Sequence, residues 1–123
     1  MIEIVVEKLN AKNKDIFKID DITHVCTVVE EERLLAALAI EATRDKVILK
    51  NVLLLSEDAR DLDGMIKTSI NYFHLEGVFV ACYDCGNEML SGYFKKINNE
   101  TYISKGYACF RSQDFIESTR CRR

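Results

Sequence analysis

Between Val47 and Asn98 the spacing of apolar positions changes period along the chain, and the changes spell out strand, helix, strand, helix. Lys46–Leu55 is a long apolar run rich in Val, Ile and Leu, the pattern of a strand covered on both faces. From Leu62 the apolar residues fall at Leu62, Met65, Ile66, Ile70 and Phe73, which lines one face of a helix. Gly77 is placed to end that helix. Val78–Tyr83 reads as a second buried strand, and Asn87–Ile97 as a second amphipathic helix with Leu90, Phe94 and Ile97 inward. A strand, a crossover helix and a parallel neighbour form a right-handed βαβ unit. Ligands of such units gather where strand gives way to helix N-terminus.

Upstream, Ile2, Ile4 and Val6 alternate with Glu3, Val5 and Glu7, predicting a first strand with one face more buried than the other. The polar stretch from Lys8 to Asp21 carries Leu9, Ala11, Ile16, Phe17 and Ile19, enough for a short docked helix. Ile22–Val29 and Arg33–Ala42 are the next strands, an antiparallel pair joined by a solvated hairpin at Glu30-Glu31-Glu32. A polar turn over Thr43–Lys46 leads into the long strand, completing a meander. After Asn98-Asn99, Thr101–Ser104 and Tyr107–Phe110 are short strands, and residues 111–123 are a polar tail expected to fray.

The 123 residues suffice for one domain, spanning 1–123, whose core needs no staple. A net charge of -3 lacks the basic footprint of a nucleic-acid binder. No run of apolar residues is long enough for a membrane span, and Met1-Ile2-Glu3-Ile4 lacks the build of a signal peptide, so the expected setting is the cytoplasm, away from the membrane. Five cysteines at irregular spacing read as reduced thiols. Cys82 and Cys85 form a CxxC pair at a strand end, but no second pair completes a zinc site, and no metal is expected. His24 and His74 stand without a nucleophile nearby in sequence and read as packing or surface residues.

The order of a meander, then strand, helix, strand, helix resembles that of the GNAT family, the acetyl-CoA-dependent N-acetyltransferases. Leu55-Ser56-Glu57-Asp58-Ala59-Arg60 is similar to the family's approach to its pyrophosphate loop, and Asn87–Ile97 is similar to its Asn-x-x-Ala-x-x-x-Tyr helix. The resemblance covers Ile22–Ile97 and implies an α+β fold: a mixed, mostly antiparallel sheet with a central parallel strand pair and helices on both faces. It implies acetyl-CoA as cofactor, with contacts from Leu53, Leu55, Arg60, Gly64, Met65, Ile66 and Asn87. It implies a catalytic tyrosine, for which Tyr93 stands one position from the matching Phe94, and a carboxylate base, for which Glu41 is the nearest candidate.

The departures from the family pattern bear on function. Its diphosphate loop is rich in glycine because backbone N–H groups must approach the anion closely. Here Gly64 is the single glycine, and Asp58, Asp61 and Asp63 put like charge where the anion would arrive. As helix-capping residues those aspartates need no ligand. The region between the first two strands is also short for an acceptor pocket. Two functions stay open: a divergent N-acyltransferase that carries acetyl from weakly bound acetyl-CoA to an amine acceptor, small or peptidic, and a GNAT-fold binding or interaction module, for example a homodimer, that takes no cofactor.

Overall fold

Alternation along the strands decides which side of the sheet is packed. The computed structural model describes residues 1–97 and 101–120. Its strands are β1 (Ile2–Lys8), β2 (His24–Glu30), β3 (Arg33–Ala42), β4 (Lys46–Leu54), β5 (Val80–Asp84), β6 (Tyr102–Ser104) and β7 (Tyr107–Arg111). The helices are α1 (Ala59–Leu75), α2 (Glu88–Lys95) and α3 (Ser112–Arg120). One 7-stranded sheet runs in the order β1-β2-β3-β4-β5-β7-β6. Every neighbouring pair is antiparallel except β4 and β5, which are parallel.

Both two-residue hairpins rest on left-handed backbone. Glu31 and Glu32 turn β2 into β3 with φ of +50° and +68°, and Lys105 and Gly106 turn β6 into β7 with φ of +52° and +86°. Positive φ at both central residues matches the right-handed twist of the flanking strands. Glutamate accepts that conformation at about 1–2 kcal/mol per residue, a cost that the long β2–β3 ladder behind the turn offsets.

α1 starts three residues before the expected Leu62. Asp58 is its N-cap, and the carboxylate accepts the Arg60 N–H at 2.9 Å. At the far end Gly77 takes φ +90°, its N–H reaches the His74 carbonyl, and the Val78 N–H reaches that of Phe73. These two bonds are a Schellman ending, and they turn the chain into β5.

The expectation of helices on both faces is corrected. Cys26 and Val28 of β2, Leu38 and Ile40 of β3, Val47 and Leu49 of β4, Ala81 of β5 and Phe110 of β7 share one face. Against that single face pack Met65, Ile66, Ile70 and Phe73 of α1, Leu90 and Phe94 of α2, and Phe115 of α3. The opposite face carries the smaller cluster of Ile48, Cys82 and Cys109. The connection from β1 to β2 lacks the apolar period of a helix and folds into a turn instead of the short helix expected there. Asn10 Oδ1 accepts the N–H groups of Lys12 and Asn13, while Asn13 Oδ1 accepts that of Asn10, a reciprocal lock that competes with helix.

The polar tail is the second correction. Ser112–Arg120 is helix rather than frayed chain; residues 121–123 lie outside the described residues. Phe115, 1% exposed, sits 5.9 Å from the rings of both Phe94 and Phe110. Burying one such side chain stabilises by about 1.5–3 kcal/mol, and Ile116 adds a second anchor against the core.

Candidate functional site: the cleft between the parallel strands

β4 and β5 pair only from Lys46–Leu49 with Val80–Tyr83. Beyond that, β4 continues to Leu54 beside β3, whereas β5 ends at Asp84, so a cleft opens at the strand ends. Its volume is about 360 Å³, and Lys50, Asn51, Asp84 and Asn87 line it together with Ile19 and Asp20. Asn87 spans the gap: Nδ2 donates to Asn51 Oδ1 at 3.0 Å, while its own Oδ1 accepts the Leu90 N–H and caps α2. Asn51 Oδ1 also accepts the Val52 N–H at 2.9 Å, a backbone donor at the point where the strands part. Asp84 Oδ1 takes the Gly86 N–H and fixes the turn into α2.

Lys50 Nζ lies 3.1 Å from Glu41 Oε1 and 5.9 Å from the centre of the Tyr107 ring. Burial works against its charge, but the hydrogen bond and charge of Glu41, with Tyr107 beside it, outweigh burial and raise the pKa. Glu41 is therefore engaged as a counter-ion. It points from the face opposite the described helices, since its register partner is Ile48. Tyr93 lies on the other side, between α1 and α2, where its hydroxyl donates to Asp63 Oδ1 at 2.7 Å and Asp63 in turn meets Lys67 at 3.0 Å. The structure does not bring Tyr93 and Glu41 together. Phe94 is buried and stacked on Tyr83 at 4.4 Å.

The residues expected to hold the cofactor are scattered among structural tasks. Leu53 is laddered to Ala37. Leu55, 60% exposed, gives its N–H to the Leu35 carbonyl, which also accepts the Ser56 N–H. Arg60 closes a bidentate pair with Asp58, with contacts of 3.0 Å and 2.8 Å, and that hydrogen-bonded guanidinium holds the Asp58 carboxyl below its usual range. Gly64, Met65 and Ile66 were expected to contact the cofactor, but α1 begins at Ala59, so their N–H groups point to carbonyls four residues back within the helix. Met65 and Ile66 are wholly buried in the core.

Whether a diphosphate fits at the start of α1 turns on Asp61. This residue is 6% exposed in the first helical turn, and Ser56 Oγ donates to its carboxylate in a short hydrogen bond. The positive end of the helix dipole thus receives carboxylates from the chain itself, Asp58 as cap and Asp61 within the turn. A diphosphate there would meet like charge and find the neighbouring cation already paired. The residues present do not fit it. The sequence showed the three aspartates, but the burial of Asp61 under Ser56 needed the fold.

No family profile and no curated protein sequence matches the chain. Solved structures do. A protein of Staphylococcus epidermidis described as a probable acetyltransferase aligns over 90% of this chain and 99% of its own, with 15% identity and a TM-score of 0.65. The ribosomal-protein-S18-alanine N-acetyltransferase of Escherichia coli aligns over 89% and 94%, with 8% identity and a TM-score of 0.60. A GNAT family acetyltransferase of Brucella melitensis, in complex with acetyl-CoA, aligns over 89% and 88%, with 11% identity and a TM-score of 0.60. The chain has the fold of the GNAT acetyltransferases. It is a divergent example of that fold, a mixed sheet with one parallel pair and its three described helices on one face.

Proposed function

We propose that this chain uses the GNAT fold as a binding module and does not take up acyl-CoA through the start of α1. The observation that carries the reading is Asp61, buried under Ser56 in the helical turn where a diphosphate would need free N–H donors. The separation of Tyr93 from Glu41, each already hydrogen-bonded or ion-paired, supports it. In this reading the partner is a small molecule at the cleft, another protein or a second copy of the chain. The acidic balance disfavours nucleic acid.

A second reading is N-acyl transfer from acetyl-CoA to an amine. It is favoured by the cleft at the parallel pair and by the acetyl-CoA complex of the Brucella melitensis protein of the same fold. Acetyl-CoA would supply the acyl group as a thioester. Thermal unfolding with millimolar CoA and acetyl-CoA separates the readings. A ligand at 100 times its Kd stabilises by about 2.7 kcal/mol, a shift of several degrees in a domain of this size. The binding-module reading expects no shift with either compound. A clear rise in Tm for the wild type would overturn it in favour of acyl transfer.

A further inference from the structure

β5 and β7 place Cys82 and Cys109 directly opposite each other in an antiparallel ladder, on the face of the sheet opposite the described helices. Opposed residues in such a ladder have Cα atoms about 4.5–5.5 Å apart, within the range of about 4.4–6.8 Å over which a disulfide closes without backbone movement. The two Sγ atoms stand 2.8 Å apart, in direct contact. Other described cysteines are kept away from the pair: Cys26 faces α1 on the opposite side, and Cys85 is exposed beyond the end of β5.

Both side chains are sealed, at 0% and 1% exposure, and Ile48, Val80 and Tyr107 pack around them. The way in is the sheet edge. Cys109 is laddered on its outer side to Tyr102 of β6, a strand of 3 residues. A strand so short, at the rim of a sheet, opens more readily than the interior ladders.

We propose that Cys82 and Cys109 are an oxidisable pair that peroxide converts into a disulfide across β5 and β7. The Cys109 sulfur attacks one peroxide oxygen, the O–O bond breaks, and the leaving hydroxide takes the thiol proton to become water. Cys82 sulfur then attacks the resulting sulfenic acid; the S–S bond forms, the S–O bond breaks, and the second oxygen leaves as water with the remaining proton. Two electrons pass from the two sulfurs to one hydrogen peroxide. Cys109 takes the first step because it is the one laddered to the short edge strand β6; burial, reinforced by Cys109, pushes the Cys82 thiol pKa up. The cross-link would tie β7 to β5 immediately behind the cleft.

The test uses the full chain, treated with hydrogen peroxide or kept in dithiothreitol, then read by intact mass and by peptide mapping without reduction. The expected result is loss of the mass of two hydrogens and a peptide linking Cys82 to Cys109, formed equally in the Cys85→Ser variant and reversed by dithiothreitol. Three results would overturn the proposal. One is a linkage through Cys26, Cys85 or Cys121. Another is full alkylation of both Cys82 and Cys109 after oxidation and unfolding. The third is Cys109 found as sulfinic acid beside an unmodified Cys82.

Discussion

Gly64 of α1 and Ile4 of β1 approach so closely that a Cβ on the glycine would stand 2.7 Å from Ile4 Cδ1. The glycine that the family pattern assigns to an anion serves here to seat a helix on an edge strand. Alanine at position 64 gains about 0.8–1.0 kcal/mol of helix propensity but must displace the terminal methyl of Ile4. The single variant Gly64→Ala is expected to fall within about 1 kcal/mol of wild type, since a flexible chain end can yield some way. In an Ile4→Val background, where Cδ1 is gone, the same change should stabilise. Urea unfolding of the four proteins in a double-mutant cycle measures the coupling.

Phe115 anchors the last helix. Phe115→Ala is expected to cost about 3–5 kcal/mol, the range for truncating a buried aromatic. The loss should appear as a lower urea midpoint with the two-state transition retained. A change under about 1 kcal/mol would show that α3 contributes little to the core.

The bond from Tyr93 to Asp63 fastens α2 to α1. Tyr93→Phe removes the hydroxyl and keeps the ring, so a loss of about 0.5–1.5 kcal/mol is expected. Asp63→Asn keeps an acceptor for Tyr93 but releases Lys67, and should cost less. Equilibrium unfolding ranks the two. The opposite order would assign the larger share to the ion pair.

His24 supplies a pH dependence. Burial lowers its pKa below 6.5, and the charge of Lys8 on the neighbouring strand pushes the same way; Thr23 Oγ1 contacts Nδ1, and the Phe73 ring lies edge-on at 5.0 Å. Because the folded pKa is depressed, the unfolded chain binds the proton more readily. Stability from this residue is therefore present above about pH 6.5 and is lost as pH falls through the lower folded value. His24→Gln should flatten the stability profile between pH 7 and pH 5, read as Tm against pH.

The strands were legible because their apolar runs are long. Arg33–Ala42 is the expected strand residue for residue, and the βαβ unit follows from the change of period between Val47 and Ile97. The apolar period placed α1 only from Leu62, because Asp58, Arg60 and Asp61 are polar; the first turn rests on capping by Asp58, one of the three aspartates read as helix caps. α3 was missed for a related reason. Its inward face rests on Phe115 and Ile116, too few residues to establish a period, and the rest of its stability comes from neighbours distant in sequence. Gly64 could be seen but not interpreted, since its use depends on Ile4, sixty positions away in the chain. The cleft was partly visible: Lys50 and Asn51 interrupt an apolar strand, but their partners Glu41 and Asn87 lie on other elements.

The parallel contact of Lys46–Leu49 with Val80–Tyr83 is the only backbone ladder among the described residues that joins β1–β4 to β5, β7 and β6. It has four rungs, against seven in each ladder of the meander. The sheet is in this sense two antiparallel plates meeting at a narrow joint, with α1 lying on β1–β4, α3 lying on β7, and the two helices touching across it. Force or a wedging partner at the mouth of the cleft would act on the Asn51–Asn87 amide contact first and then on those four rungs, while each plate kept its own hydrogen bonds. The plates would part there as jaws, with β4 and β5 as the two lips.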